Sequence, residues 1–402
     1  MKNVAIINVL PIKSTGLIAR NLYKSLEHNG YNTVFAYAHG KEDNLKCFTH
    51  SYRIGTKLEY RIHKLLALIT GLQGYYSVFA TLRFLRFLSK NKIDTVFVLN
   101  IHEWYINERM LYNYVAKENL ALVNIMIDEY PYLGRCSFAI DCMGFHSGCG
   151  KCPSLSRYPQ TWFFDRSAKI YKMKQKAYAK MKRAVFVAPE FQVVQSRKSP
   201  MMNNIRTVAL DESVDLDVYK PKDTSALKRE LGIAEDKIVL MSAAPFSDPR
   251  KGCKYFLELA NKFETDERFV FVHVGFDVEG VETPSNFIKV GYVFDQNKYA
   301  EYLSMADLLV FLSFADTLSN TCIAALGCGT PLLCFNISGM PYLGDSSVLT
   351  LVEPKNVEQL KQVVDKTGKK SKEKISICRS YAENRYDQKK YNEKLIALAE
   401  SL

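Results

Sequence analysis

Leu309-Val-Phe-Leu-Ser-Phe-Ala-Asp-Thr-Leu-Ser-Asn-Thr-Cys-Ile-Ala-Ala-Leu-Gly-Cys-Gly-Thr-Pro-Leu-Leu-Cys-Phe335 is the stretch whose reading decides the fold. Its apolar runs, Leu308–Leu312 and Pro331–Phe335, suit strands covered on both faces, as in a parallel sheet. Between them Asp316 to Thr321 is a polar loop at a strand's carboxyl end that opens into a short helix. Open α/β sheets bind ligands at that edge, and a helix N-terminus offers free N–H groups to phosphate. The segment points to a nucleotide-linked ligand.

Outward from this stretch the same alternation recurs. Upstream lie strands Ile238–Ser242 and Phe269–Val274, a helix from Lys251 and another over Lys298–Met305. The N-terminal half alternates likewise, with strands Val4–Leu10, Asn32–Tyr37, Thr95–Leu99, Ala121–Ile127 and Ala184–Ala188, and a helix over Gly16–His28. Alternation of this kind predicts doubly wound parallel sheets. The acidic segment from Asp211 to Pro221 reads as a connection between two such halves. The expected division is 1–210, a linker 211–222, a second domain 223–370, and a terminal helix 371–402 packing back on the first domain.

With 402 residues, 48% hydrophobic and 24% charged, the chain is long enough for two cores and has no low-complexity block. The net charge of +12 is unevenly placed. Residues 1–200 carry 29 Lys+Arg against 13 Asp+Glu, and residues 201–402 carry 25 against 29. One half therefore faces something anionic. No recognised nucleic-acid motif is present, a negative membrane surface or a lipid-diphosphate substrate fits at least as well, and nucleic acid is not expected as a partner. The first ten residues read as a strand rather than a signal peptide. Gln73, Arg83 and Arg86 interrupt the apolar run from Leu65 to Leu88, so it does not span a membrane. The expected location is cytoplasmic, free or at the inner face of the plasma membrane.

Arg250-Lys251-Gly252 follows a strand and opens a helix, where two cations and free N–H groups would neutralise a diphosphate and stabilise it as a leaving group. A solvated helix start is the alternative for that tripeptide alone. Four of the ten cysteines, Cys136, Cys142, Cys149 and Cys152, fall within one short insertion, 136–152. Two readings stay open for them: a closed structural zinc site, or reduced or redox-paired thiols. Trp162-Phe-Phe164 precedes a basic stretch, Arg166 to Arg183, with an apolar stripe at Ile170, Met173, Ala177 and Met181. It reads either as a membrane-surface helix or as a helix packed on its domain with a solvated basic face.

Taken together, these motifs resemble the donor site of GT-B retaining glycosyltransferases, specifically glycosyltransferase family 4. The N-terminal half agrees: Ser14-Thr-Gly-Leu-Ile-Ala-Arg20 resembles the family's glycine-containing first loop. Asn100-Ile-His102, Arg135-Cys136 through Gly148-Cys-Gly-Lys-Cys-Pro153, Tyr158-Pro159 and Phe164-Asp-Arg-Ser167 resemble the branch that builds capsule and exopolysaccharide. The resemblance implies a GT-B architecture, with two Rossmann-like domains facing across a cleft. It implies that Arg250 and Lys251 hold the donor diphosphate and that Asp316 binds hydroxyls of the donor sugar. Leu318, Ser319, Asn320 and Thr321 would touch sugar and phosphate through their backbone, Gly291 and Tyr292 would sit near the base, and Gly16 would let the first loop approach the diphosphate. His102 and Asp128 would line the acceptor side.

Three positions depart from the family pattern: Ala324 at the second acidic position, Ile127 before Asp128, and Tyr342 ending the Ser338-Gly-Met-Pro-Tyr turn. The activity implied is transfer of a sugar, with retention, from a nucleoside-diphosphate sugar to a lipid-linked or saccharide acceptor in capsular, exopolysaccharide or O-antigen biosynthesis. No cofactor is required by that chemistry. The departures keep two alternatives open: a non-catalytic protein that binds nucleotide or saccharide within a biosynthetic complex, and a nucleotide-sugar epimerase of the same fold.

Overall fold

The computed structural model describes residues 2–140 and 142–402, and for residues 13 and 14 the backbone alone. The chain forms two compact units, one made of residues up to Leu210 together with Asn392–Leu402, the other of Asp211–Tyr391.

Unit 1 is built on seven strands: β1 (Asn3–Asn8), β2 (Asn32–Tyr37), β3 (Ser51–Arg53), β4 (Thr95–Val98), β5 (Ala121–Ile125), β6 (Ala184–Ala188) and β7 (Arg206–Ala209). Their order is β3-β2-β1-β4-β5-β6-β7, and every pairing is parallel. The central strands β4, β5 and β6 are buried at every residue, as continuous apolar runs demand of a sheet covered on both faces. The helices of this unit are α1 (Lys13–His28), α2 (Lys57–Thr70), α3 (Val78–Lys90), α4 (Glu108–Lys117), α5 (Ser167–Tyr178) and α6 (Glu190–Ser196). Thr56 starts α2 with a capping box: its side chain accepts from the Glu59 N–H, while the Glu59 carboxylate accepts from the Thr56 N–H.

Unit 2 carries α7 (Ser225–Glu230), β8 (Ile238–Ala243), α8 (Cys253–Lys262), β9 (Phe269–Val274), β10 (Phe287–Val290), α9 (Gln296–Met305), β11 (Leu308–Phe311), α10 (Asn320–Gly327), β12 (Leu332–Phe335), β13 (Leu349–Val352), α11 (Val357–Asp365) and α12 (Lys372–Arg385). Its six strands run parallel in the order β10-β9-β8-β11-β12-β13. Apolar residues fill both faces of this sheet, with Met241, Leu309 and Leu332 in one core and Leu240, Val310 and Leu333 in the other. The last helix, α13 (Gln388–Glu400), begins in unit 2, and its residues from Asn392 onward belong to unit 1.

The quoted stretch is thus β11, loop, α10 and β12. Two strands end sooner than their apolar runs suggest, each because a side chain turns the backbone. Asn8 Nδ2 donates to the Leu10 carbonyl at 2.7 Å and closes β1. Asp128 Oδ1 accepts from the Tyr130 N–H at 3.0 Å, turning the chain just beyond β5. The topology places one switch point in each unit, between β1 and β4 and between β8 and β11. Loops leaving adjacent strands diverge there and open a crevice at the strands' carboxyl ends.

Candidate functional site

In unit 2 the switch point gathers the residues that sequence reading singled out. The loop after β8 carries Asp248, which accepts from the Arg250 N–H at 3.0 Å and pairs with the Arg250 guanidinium at 2.7 Å. That pair holds the Asp248 carboxyl below its ordinary range despite partial burial. Gly252 has φ +66, and a Cβ there would stand 2.0 Å from the Leu312 carbonyl oxygen, so only glycine lets this turn press onto the end of β11. Arg250 in turn accepts on its carbonyl from the Phe314 N–H at 2.7 Å, tying the two loops together.

Lys251 Nζ reaches Asp316 Oδ2 at 2.7 Å, both side chains about one-fifth exposed. Asp316 is anchored by Ser338, whose hydroxyl donates to its carbonyl at 2.7 Å. Ser319 caps α10, accepting from the Cys322 N–H, so the first free N–H groups of that helix follow Leu318. Thr321 Oγ1 lies 3.4 Å from the Tyr299 hydroxyl. Gly291 and Tyr292 follow β10, where the half-exposed Tyr292 ring stacks on Phe276 at 4.1 Å. Ala324 is buried in the α10 face of the core.

Sequence reading missed Glu212. It falls in the segment taken for a linker, yet it is buried, 3.5 Å from Thr317 Oγ1 and close to Asp316. Burial, then the charge of Asp316, pushes its carboxyl up to about 8, so it is protonated at neutral pH. The only hint was a lone valine two positions after Glu212, in Asp211-Glu-Ser-Val.

In unit 1, His102 leaves β4 and Asp128 leaves β5, and the structure brings them together: Nε2 to Oδ2 is 2.7 Å, with both residues buried. Tyr158 Oη lies 3.3 Å from the other ring nitrogen of His102. The backbone next to this dyad is held in the left-handed region at two non-glycine residues, Glu103 at φ 112 and Trp104 at φ 61. Strain of that kind collects at functional sites. Beneath lies a fully buried polar layer: the Tyr130 hydroxyl donates to Glu108, and Lys174 Nζ donates to the Tyr130 carbonyl at 2.7 Å. Burial lowers the Lys174 ammonium to about 8 and raises the Glu108 carboxyl. Gly16 lies in the first turn of α1, where a Cβ would stand 2.4 Å from the Pro11 carbonyl carbon. What it permits in this structure is close packing of that loop on itself.

Two readings that the sequence left open meet the structure as follows. Cys136, Cys142, Cys149 and Cys152 are free thiols, and among the described residues no group of three or more His, Cys, Asp or Glu is placed to hold a metal ion. Asp141, within the same insertion, lies outside the described residues. Burial and neighbouring thiols push Cys136 up to about 12 and Cys149 up to about 11. The insertion is cross-linked by Arg135. This buried guanidinium donates to the carbonyls of Ser154, Leu155, Arg157 and Pro159 at 2.5–3.3 Å. Next, the stripe of the basic stretch faces inward: α5 buries Ile170 and Ala177, and Met181 beyond it is also covered. Its apolar side is used in packing, leaving solvated lysines outside. Trp162, Phe163 and Phe164 do stand exposed.

Residues 236–367 match the family described as Glycosyl transferases group 1. The putative colanic acid biosynthesis glycosyl transferase WcaC of Escherichia coli K12 is 23% identical over 270 residues, covering 63% of this chain and 64% of that protein. The chain thus aligns with somewhat under two thirds of that relative's length. Among solved structures, a glycosyltransferase from Rickettsia africae superposes with a TM-score of 0.69 at 14% identity, over 100% of this chain and 98% of its own. Anabaena Alr3699/HepE in complex with UDP does so with a TM-score of 0.68 at 13% identity, over 100% of both chains. The chain has the GT-B fold, two parallel-sheet Rossmann-like domains.

Proposed function

We propose that this chain, a GT-B protein carrying a glycosyl transferases group 1 domain at residues 236–367, moves a sugar from a nucleoside-diphosphate donor to a hydroxyl of a saccharide, free or lipid-linked, in polysaccharide biosynthesis. The observation that carries this reading is the Lys251–Asp316 pair at the β8/β11 switch point, 2.7 Å apart and beside Arg250. In the reading, donor diphosphate draws Lys251 from Asp316 and meets the Arg250 guanidinium, so that two cations stabilise the charge that develops on the leaving phosphate. Asp316, released from its lysine, accepts hydrogen bonds from sugar hydroxyls. The N–H groups at the start of α10 add a positive dipole end. Attack by the acceptor on the face the diphosphate leaves would retain configuration, with the diphosphate oxygen taking the acceptor's proton. The His102–Asp128 dyad orients the acceptor side in unit 1.

HepE structures, which contain UDP and UDP-glucose, support the donor class, and WcaC, described for colanic acid biosynthesis, supports the polysaccharide context. A panel of nucleotide sugars, incubated with a crude lipid-linked acceptor, tests the proposal by product formation. Lys251→Ala and Arg250→Ala are each expected to lower turnover about 100-fold, the usual effect of removing one group that meets developing charge. Unchanged turnover in the double variant would remove the donor-site assignment. Binding without any turnover in the parent chain would favour a non-catalytic nucleotide-binding role, and product made without an acceptor would favour epimerisation.

A further inference from the structure

Unit 1 presents an apolar face that its own packing leaves uncovered. On α2, Leu58, Ile62 and Leu65 recur at spacings of four and three and point outward, Leu58 at 67% exposure. On α3, Phe79 is 73% exposed, with Val78 and Leu82 beside it, and Phe163 is 66% exposed between Trp162 and Phe164. Direct contacts stitch the three segments into one surface. Arg83 of α3 pairs with Glu59 of α2 at 2.6 Å, and Ser77, just before α3, bonds His63 of α2 at 2.9 Å. The Trp162 N–H donates to the Leu68 carbonyl of α2 at 2.7 Å. Soluble proteins seldom expose contiguous apolar area on this scale without a partner.

The charges around the face identify the partner. Lys57 and Arg61 lie on the exposed side of α2, Arg83 and Arg86 on that of α3, and Arg166 stacks over the Phe164 ring. The two carboxylates nearby are already engaged: Glu59 in its cap and with Arg83, Asp165 with the N–H groups of Cys152 and Ser167. Apolar and aromatic side chains interleaved with cations, on helices that lie flat against a domain, match an anionic bilayer surface. Tryptophan and phenylalanine enter the boundary between headgroups and acyl chains, and arginine and lysine meet the phosphates. No helix among the described residues is long and apolar enough to cross a membrane, so the contact is lateral.

We propose that α2, α3 and Trp162–Phe164 together form a docking face that seats unit 1 on an anionic lipid surface. The inference goes beyond the transfer reaction and does not need it, since a chain without turnover would bind the same bilayer. It also gives α2 two tasks: the side opposite Ile62 carries Tyr60, whose ring packs edge-on against Trp104 in the strained loop beside His102. A lipid-linked acceptor would therefore present its sugar next to the surface that holds its lipid.

Co-sedimentation of the full chain with vesicles tests this, using phosphatidylcholine alone and phosphatidylcholine mixed equally with phosphatidylglycerol. The parent chain is expected to sediment with the anionic vesicles and to be released by salt. The triple variant Leu58→Ser, Ile62→Ser, Phe163→Ser is expected to partition about tenfold less, and Arg61→Gln with Arg86→Gln to lose the preference for phosphatidylglycerol. Lys172→Gln with Lys176→Gln, on the solvated side of α5, is expected to bind as the parent does. Should the triple variant melt early, Phe79→Ser and Phe163→Ser singly carry the same comparison. Equal binding by parent and folded variants, or no binding by the parent, overturns the proposal. So does concentration-dependent dimerisation that the triple variant abolishes while vesicles bind neither form, which would make the face a protein interface.

Discussion

Glu212 shows how far a single side chain can depend on the fold around it. Its folded carboxyl is raised to about 8, whereas in the unfolded chain it titrates near the ordinary value of 4.5. The folded protein therefore holds a proton that the unfolded chain gives up between those values, and stability falls as pH rises through that window. Below 4.5 both states are protonated and the residue contributes no pH dependence. Glu212→Gln keeps the shape and removes the ionisation, so it is expected to stabilise the protein by about 3 kcal/mol at pH 7 and by almost nothing at pH 4. Denaturant melts at the two pH values check this, and a variant equally stable to the parent at both would remove the burial argument. Residues such as Arg250, Lys251 and Asp316 were legible in the sequence because strands of known direction flank them. Glu212 was not, since its partners Thr317 and Asp316 lie more than one hundred positions away and its own segment has no periodicity.

Among the elements, those with continuous apolar runs were readable and the sheet edges were not. β4, β5, β11 and β12 bury every residue and announce themselves. β3 has three residues and β7 is exposed at both ends with two half-buried residues between, so neither carries the period that marks a strand. The insertion 136–152 was undecided in another way. Its cysteine spacing allows a metal site or free thiols, and a buried arginine supplies cross-links that no local pattern betrays. Arg135→Ala strips partners from several carbonyls at once and is expected to destabilise unit 1 by about 3 kcal/mol, with amide exchange rising fastest over residues 150–160. Added zinc should leave the melting temperature of the parent unchanged. A zinc-dependent rise would restore the thiolate site. Basic α5 was ambiguous for a plainer reason: one apolar stripe serves equally for a core or a bilayer, and only its neighbours decide.

At the scale of the whole molecule, the alternation of strands and helices was enough to give two parallel sheets, because parallel pairing leaves few permitted orders once each crossover is right-handed. The terminal helix expected over 371–402 divides differently: α12 and the first residues of α13 lie in unit 2, and Asn392–Leu402 belong to unit 1. Unit 2 is continuous from Asp211 to Tyr391, with its own two cores, and residues 211–391 expressed alone are expected to melt cooperatively and to bind a nucleoside diphosphate. Calorimetry on that fragment checks both; a folded fragment with no nucleotide affinity would count against the donor site. Unit 1 is discontinuous. The buried Leu395 and Ile396 belong to it, Tyr31 donates to Glu400, and Arg183 Nε donates to the Leu402 carbonyl at 2.6 Å. On the ribosome, then, the segment made first is finished last. The N-terminal sheet must wait, with the surface beside Leu26 and Tyr31 uncovered, until unit 2 has been synthesised and α13 emerges. A nascent chain stalled before that point leaves the apolar surface that Leu395 and Ile396 cover open for the seconds translation takes.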